Sequence, residues 1–142
     1  MGRPEVERAP LLDTHAWVWW IRRDPRLGEA ALAALDGFPP EGRPCLADIS
    51  IWEVAMLVAR RRLELVTPLA EWLEAASHPR SVHVLVISAA IASETALVAR
   101  TALRDPADRI IVATSRVLEL PLLTRDRAIL RSRLTTPWTP RS

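Results

Sequence analysis

The stretch from Asp105 to Asp126, DPADRIIVATSRVLELPLLTRD, constrains this chain more than any other. Pro106 suits the first turn of a helix, where its missing N–H has no intrahelical partner anyway. Apolar side chains then recur at Ala107, Ile110, Ile111, Val117 and Leu118, the spacing of a helix with one buried stripe. Pro121 breaks that pattern, and the apolar run Leu120 to Leu123 is long enough for one buried strand. Thr124-Arg125-Asp126 closes it. One carboxylate thus stands in the first turn of a helix and another just past the C-terminal end of a strand. In an open α/β sheet, ligands bind at that edge.

The same alternation extends along the chain. Residues 1–9 read as a loose polar lead-in, and Pro10-Leu11-Leu12 as a short buried strand ended by Asp13-Thr14. Helical patterns follow over His15–Arg23 and, after Asp24-Pro25, over Leu27–Leu35. Gly37 to Gly42 is a loop, Arg43–Ile49 a second strand, and from Ser50 a long helix runs to Arg60-Arg61-Arg62. Pro68–Ala76 is a short helix, and Val82–Ile87, rich in β-branched residues, is a strand. Ser88–Ala102 is an Ala-rich helix with Ser88 as its cap. The tail after Leu130 holds a helix end and one candidate edge strand. Strands alternating with helices predict a single α/β/α domain, residues 10–138, with a mostly parallel central sheet flanked by helices and a tail at 139–142.

Composition bounds the class. At 142 residues one domain buries roughly 70% of the surface its unfolded chain exposes, so no staple is needed. Apolar residues are 49% and charged residues 25%, as in a globular protein rather than a disordered one. The single cysteine, Cys45, reads as an inert core residue suited to a reducing compartment. The N-terminus carries no apolar signal core, Val6 breaks the myristoylation pattern, and no apolar run approaches the ~20 residues of a membrane span. A cytoplasmic protein without membrane contact is expected. All nineteen basic residues are Arg, the side chain best shaped for bidentate phosphate contacts, although genome composition alone can produce that bias. The net charge is +2, and withdrawing acids into a metal site would leave the remaining surface more positive, a footprint for a polyanion.

Four acids carry the functional argument: Asp13, Glu53, Asp108 and Asp126. Each also has a local explanation. Asp13 and Asp126 suit N-caps, Ser50-Ile51-Trp52-Glu53 matches a capping box, and Asp108 follows a capping Asp105 in the positive first turn of a helix. Yet Asp13, Glu53 and Asp126 all fall at, or one turn past, the C-terminal end of an expected strand, and Asp108 opens a helix. A parallel sheet brings such places to one edge. Like charges that close repel, and burying them unpaired is costly. A hard divalent cation resolves the conflict and, in such sites, promotes in-line attack on a phosphodiester.

Other features carry less. His15, His78 and His83 lie near no nucleophile motif, so no Ser-His-Asp or Cys-His arrangement can be assembled. Four glycines offer no phosphate-cradling loop. Trp17 and Trp20 share a helical face and read as core, which turns Trp19 outward. Arg60, Arg61 and Arg62 read as a solvated helix end that complements the dipole, with a role against the phosphates of a polyanion as the alternative.

Four fragments in series, LLDTHAWVWW at 11–20, ISIWEVAMLVARRRLEL at 49–65, DPADRIIVATS at 105–115 and LLTRD at 122–126, resemble the PIN-domain family, specifically its VapC-type toxins. With the intervening pattern the likeness covers nearly the whole chain, departing from it in a longer lead-in and a high Trp density. The resemblance implies a PIN-like fold and a Mg²⁺- or Mn²⁺-dependent endoribonuclease. Asp13, Glu53, Asp108 and Asp126 would form the catalytic, metal-binding set. Thr14 and Thr124 would orient carboxylates or water, and Asp105 matches an acid found in part of the family. A metal-activated water would attack phosphorus, leaving 5′-phosphate and 3′-hydroxyl ends, with Arg125 and Arg127 placed for the scissile strand. His15 matches a common family histidine that is not a ligand. The implied partners are RNA, a cognate VapB-like antitoxin covering the first helices, and a second copy of the chain. Two other readings compete. A haloacid-dehalogenase-type phosphatase wants a second Asp two residues after the first, where this chain has His15. A non-catalytic PIN-like module that binds RNA or protein would not need the acids.

Overall fold

A computed structural model of the chain describes residues 8–141. The expected lead-in at residues 1–7 lies outside the described residues, but Arg8 is tied down by a 2.9 Å bond to the Glu119 carbonyl, and Ala9 is buried. Four parallel strands, β1 (Leu11–Leu12), β2 (Cys45–Ala47), β3 (His83–Leu85) and β4 (Leu122–Leu123), form one sheet in the order β3-β2-β1-β4. The helices are α1 (Thr14–Arg22), α2 (Glu29–Asp36), α3 (Asp48–Ala59), α4 (Leu69–Ala76), α5 (Ala89–Val98), α6 (Pro106–Leu118) and α7 (Arg127–Ser132). Among the described residues no helix is long and apolar enough to cross a membrane.

Two or three residues per strand give a short ladder, at roughly 0.5–1.5 kcal/mol net per hydrogen bond. Burial on both faces therefore dominates, at roughly 1.5–3 kcal/mol for each fully buried large aliphatic side chain. The period-2 alternation assigns the faces. Leu12, Leu46 and Leu123 pack with Trp17, Leu27, Leu35 and Val54 on the side of α1 to α4. Leu11, Ala47 and Leu122 pack with Ile91, Ile111, Val112 and Ile129 on the side of α5 to α7. β1, β2 and β4 thus read as unbroken apolar runs because both of their faces are inside, whereas β3 at the sheet edge exposes His83.

Several expected boundaries move. The second strand is not Arg43–Ile49 but Cys45–Ala47, because α3 begins at Asp48 with Ala47 as its cap. That early start removes the Ser50–Glu53 capping box. The third strand spans only His83–Leu85, since β3 is an edge strand and Val86 and Ile87 turn outward. Leu27 closes a 3-10 turn, and Gly28, at a φ of 97° that disfavours other residues, separates it from α2. The helix expected to reach Ala102 ends at Val98, where the Thr101 hydroxyl caps the Val98 carbonyl. Leu118, placed by periodicity in the buried stripe, faces solvent. The C-terminal edge strand reduces to one bridge, with Trp138 N–H donating to the Leu122 carbonyl at 2.9 Å.

Strand order fixes where the site forms. From β1 the chain winds outward through β2 and β3, then returns to place β4 on the other side of β1. The reversal leaves a crevice past the carboxyl ends of β1 and β4, flanked by Asp13 and by Thr124 to Asp126.

Candidate metal centre

Asp13 follows β1 directly and is 3% exposed. One of its oxygens accepts from the Thr14 N–H at 2.8 Å, and the other from the Thr124 hydroxyl at 2.7 Å. Thr124 in turn accepts from the Asp126 N–H at 3.0 Å, so β1 and β4 are stitched across the crevice. Beneath them the buried hydroxyls of Thr14 and Ser50 lie 2.8 Å apart and join the start of α1 to α3. Ser50 was legible in sequence only as a cap. Its spacing of three from Glu53 also places both on one face of α3, which is the signal that could have placed its hydroxyl beside the acids.

The rim is built differently. Asp105 caps α6 by accepting from the Asp108 N–H at 3.0 Å, and Asp126 caps α7 by accepting from the Ile129 N–H at 3.0 Å. The capping explanations of these acids are therefore real, and they leave lone pairs to spare, since a carboxylate has about four acceptor positions. Ligand atoms of Glu53, Asp105 and Asp108 lie within 4.8 Å of one another. Asp13 and Asp126 line the same groove, whose volume is about 530 Å³. Asp105, which the resemblance sets outside the four-acid set as a support, stands inside the tightest cluster, because its place as N-cap turns its carboxylate toward Asp108.

This crowding shows in the electrostatics. Burial first, then the charges of Asp13, Asp105, Asp126 and Glu53, push the Asp108 carboxyl up to about 8. Burial likewise raises Glu53, and raises Asp13 against the opposing bonds from Thr124 and Thr14. An all-carboxylate donor set that resists its own ionisation fits a hard divalent cation.

Other candidates take different places. His15 is exposed, with its ring against Trp19 at 6.0 Å between centroids, and is not in the cluster. Trp17 is core, as periodicity required, and Trp19 is half-buried with the Arg26 guanidinium 5.0 Å from its ring centre. Arg125 donates to the Leu27 carbonyl at 2.8 Å, and Arg127 opens α7 beside Asp126. The arginines lining the groove are Arg22, Arg26, Arg60 and Arg62. Cys45 lies in β2, where burial raises its thiol.

Residues 11–133 match the PIN domain family. Ribonuclease VapC22 of Mycobacterium tuberculosis (strain ATCC 25618 / H37Rv) is 33% identical over 130 residues, which span 91% of this chain and 95% of that protein. The chain therefore belongs to the PIN-domain family, and the VapC-type resemblance read from its four fragments holds. Among solved structures, FitAcB from Neisseria gonorrhoeae superposes with a TM-score of 0.66 at 25% identity, over 92% of this chain and 96% of that one. A toxin-antitoxin complex from Klebsiella pneumoniae shares the fold, with a TM-score of 0.57 at 23% identity over 83% and 87% of the two chains.

Proposed function

We propose that this protein is a VapC-type toxin that hydrolyses RNA phosphodiester bonds with Mg²⁺ or Mn²⁺. The observation that carries the reading is the convergence of five carboxylates in one groove at the strand-order reversal, three of them with ligand atoms within 4.8 Å. Its similarity to Ribonuclease VapC22 supports the choice of RNA. Asp13, Glu53, Asp108 and Asp126 would hold the ion, with Asp105 beside them. When bound, a divalent cation supplies positive charge against the developing phosphorane and helps ionise the attacking water.

The protein's own groups do the rest. Thr124 fixes the rotamer of Asp13 through its hydroxyl, and Thr14 holds the other oxygen through its N–H. A water attacks phosphorus in line with the departing 3′-oxygen; the P–O3′ bond breaks and that oxygen takes a proton. The products carry 5′-phosphate and 3′-hydroxyl ends. We further propose a cognate VapB-like antitoxin, a homodimer and a cytoplasmic location, all of which rest on the family likeness.

The test is cleavage of total RNA by purified, antitoxin-free protein in Mn²⁺ or Mg²⁺, against EDTA and Asp108→Asn controls. Cutting lost in both controls is expected. Metal-independent RNA binding without cleavage, from folded protein, would replace this reading with a non-catalytic binding module.

A further inference from the structure

Trp52 is 51% exposed, and its indole opens into the same groove as the carboxylates. The reason lies in α3. Val54 faces the core, so the helix turns two adjoining rows toward the groove, Trp52 with Met56 and Glu53 with Leu57 and Arg60. An indole therefore stands beside the ligand Glu53 on a rigid element. Trp19 lines the groove as well, but its ring already meets Arg26 and His15. No aromatic ring or guanidinium stacks on Trp52 among the described residues. Arg22, Arg60 and Arg62 share the groove and have no salt-bridge partner among the described residues.

An open π face, unpaired guanidinium groups and a carboxylate cluster form a combination that a single-stranded nucleic acid satisfies. A base covers the ring, phosphates meet the arginines, and one phosphate reaches the acids. We infer that Trp52 is the stacking platform for one unpaired nucleobase of the RNA strand whose backbone crosses Glu53 and Asp108. This rests on the ribonuclease reading and adds to it a specificity-determining residue: the enzyme requires a flexible, unpaired base next to the scissile phosphate.

The experiment is a binding cycle in EDTA, where no cutting occurs. A short unstructured RNA oligonucleotide, and copies with a single abasic site at each position in turn, are titrated against wild type, Trp52→Phe and Trp52→Leu. Wild type should lose roughly 5- to 150-fold in affinity at one abasic position and little elsewhere, the usual worth of one base–aromatic stack. Trp52→Phe should keep that profile. Trp52→Leu, which retains an apolar surface without a π face, should bind the intact strand more weakly by the same factor and ignore the abasic site. In cleavage it should raise KM with kcat nearly unchanged.

Equal binding by Trp52→Leu and wild type, or an abasic loss spread evenly over positions, overturns the inference. So does a Trp52→Leu shift in sedimentation behaviour or antitoxin affinity with RNA binding intact, since the ring then covers protein. Should Trp52→Leu not fold, the abasic scan of wild type against Trp52→Phe decides alone. A coupled pair in a protein that never cuts RNA keeps the platform and removes the nuclease; cutting without coupling does the reverse.

Discussion

The floor and the rim of the groove solve the same problem in opposite ways. On the floor, Asp13 is buried but satisfied, with Thr14 and Thr124 each donating to one of its oxygens. On the rim, Glu53 and Asp108 are only half-buried; Glu53 is raised by burial against a partly opposing bond from the Thr14 hydroxyl, and Asp108 is driven to about 8 by burial and by four acidic neighbours. The floor's hydrogen bonds are complete, so it contributes to the fold even though burial still raises the Asp13 carboxyl. The rim conflicts with itself unless a cation arrives, which is where a binding site departs from a stability optimum.

Alanine at the two positions should therefore separate them. Both Asp13→Ala and Asp108→Ala should reduce RNA cleavage by at least about 100-fold, the upper range seen when even the supports of metal ligands are removed. Their effects on metal-free stability should be opposite in sign. Asp13→Ala leaves a buried N–H and a buried hydroxyl without their acceptor, at roughly 1–3 kcal/mol each. A loss of that size lowers the melting temperature by several degrees. Asp108→Ala relieves repulsion and should raise it. Equal shifts in thermal melts would show that floor and rim are not distinct.

The floor's hydroxyls sharpen the contrast. Thr124 serves both Asp13 and the Asp126 N–H, whereas the Thr14 hydroxyl lies against Ser50 and bears on Glu53 rather than on Asp13. Thr124→Val, which keeps shape and removes the hydroxyl, should lower activity about 10- to 100-fold at fixed metal and recover partly as metal is raised. Thr14→Val should fall less than about tenfold, because the Thr14 N–H to Asp13 survives. A metal titration of both variants gives the comparison, and a larger loss in Thr14→Val would count against a direct tie between Thr124 and the ligand set.

How far the sequence revealed this follows the same division. The α6–β4 stretch was legible because its caps, stripe and breaker agree locally; helix and strand fall within a residue or two of where periodicity placed them. The order of the acids along the chain, read against parallel topology, predicted one edge, and the five carboxylates do share a groove. What escaped depends on partners distant in sequence. Ser50 resembled a cap because its true partner, Thr14, is 36 residues away. Arg125, beside Asp126 in sequence, spends a guanidinium nitrogen on the Leu27 carbonyl across the fold. Trp52 is not legible as a groove residue because nothing in a periodic pattern shows which apolar residue of α3 lacks a neighbour.

The smallest effect expected is a pH dependence centred on the rim. Asp108 has a folded-state value of about 8 against an ordinary 3.8, so the folded state holds its proton more tightly than the unfolded chain does. The stability tied to that proton is fully present below 3.8 and is lost as pH rises through about 8. The raised Glu53 and Asp13 act in the same direction. Asp24, held down at about 2 by Arg26, and the lowered Asp36 act in the opposite direction, but only at acid pH, outside this window. Metal-free protein should thus lose stability between pH 5 and 8, by less than the ~1.4 kcal/mol per pH unit of one whole proton because the rim is partly solvated. Asp108→Asn should flatten the slope. Saturating Mg²⁺ should flatten it too, since an ion that binds only the folded, ionised cluster stabilises more as the acids deprotonate. Denaturant titrations across that range, with EDTA and with Mg²⁺, measure both; a slope indifferent to metal and to Asp108 would mean the carboxylates do not titrate as one cluster.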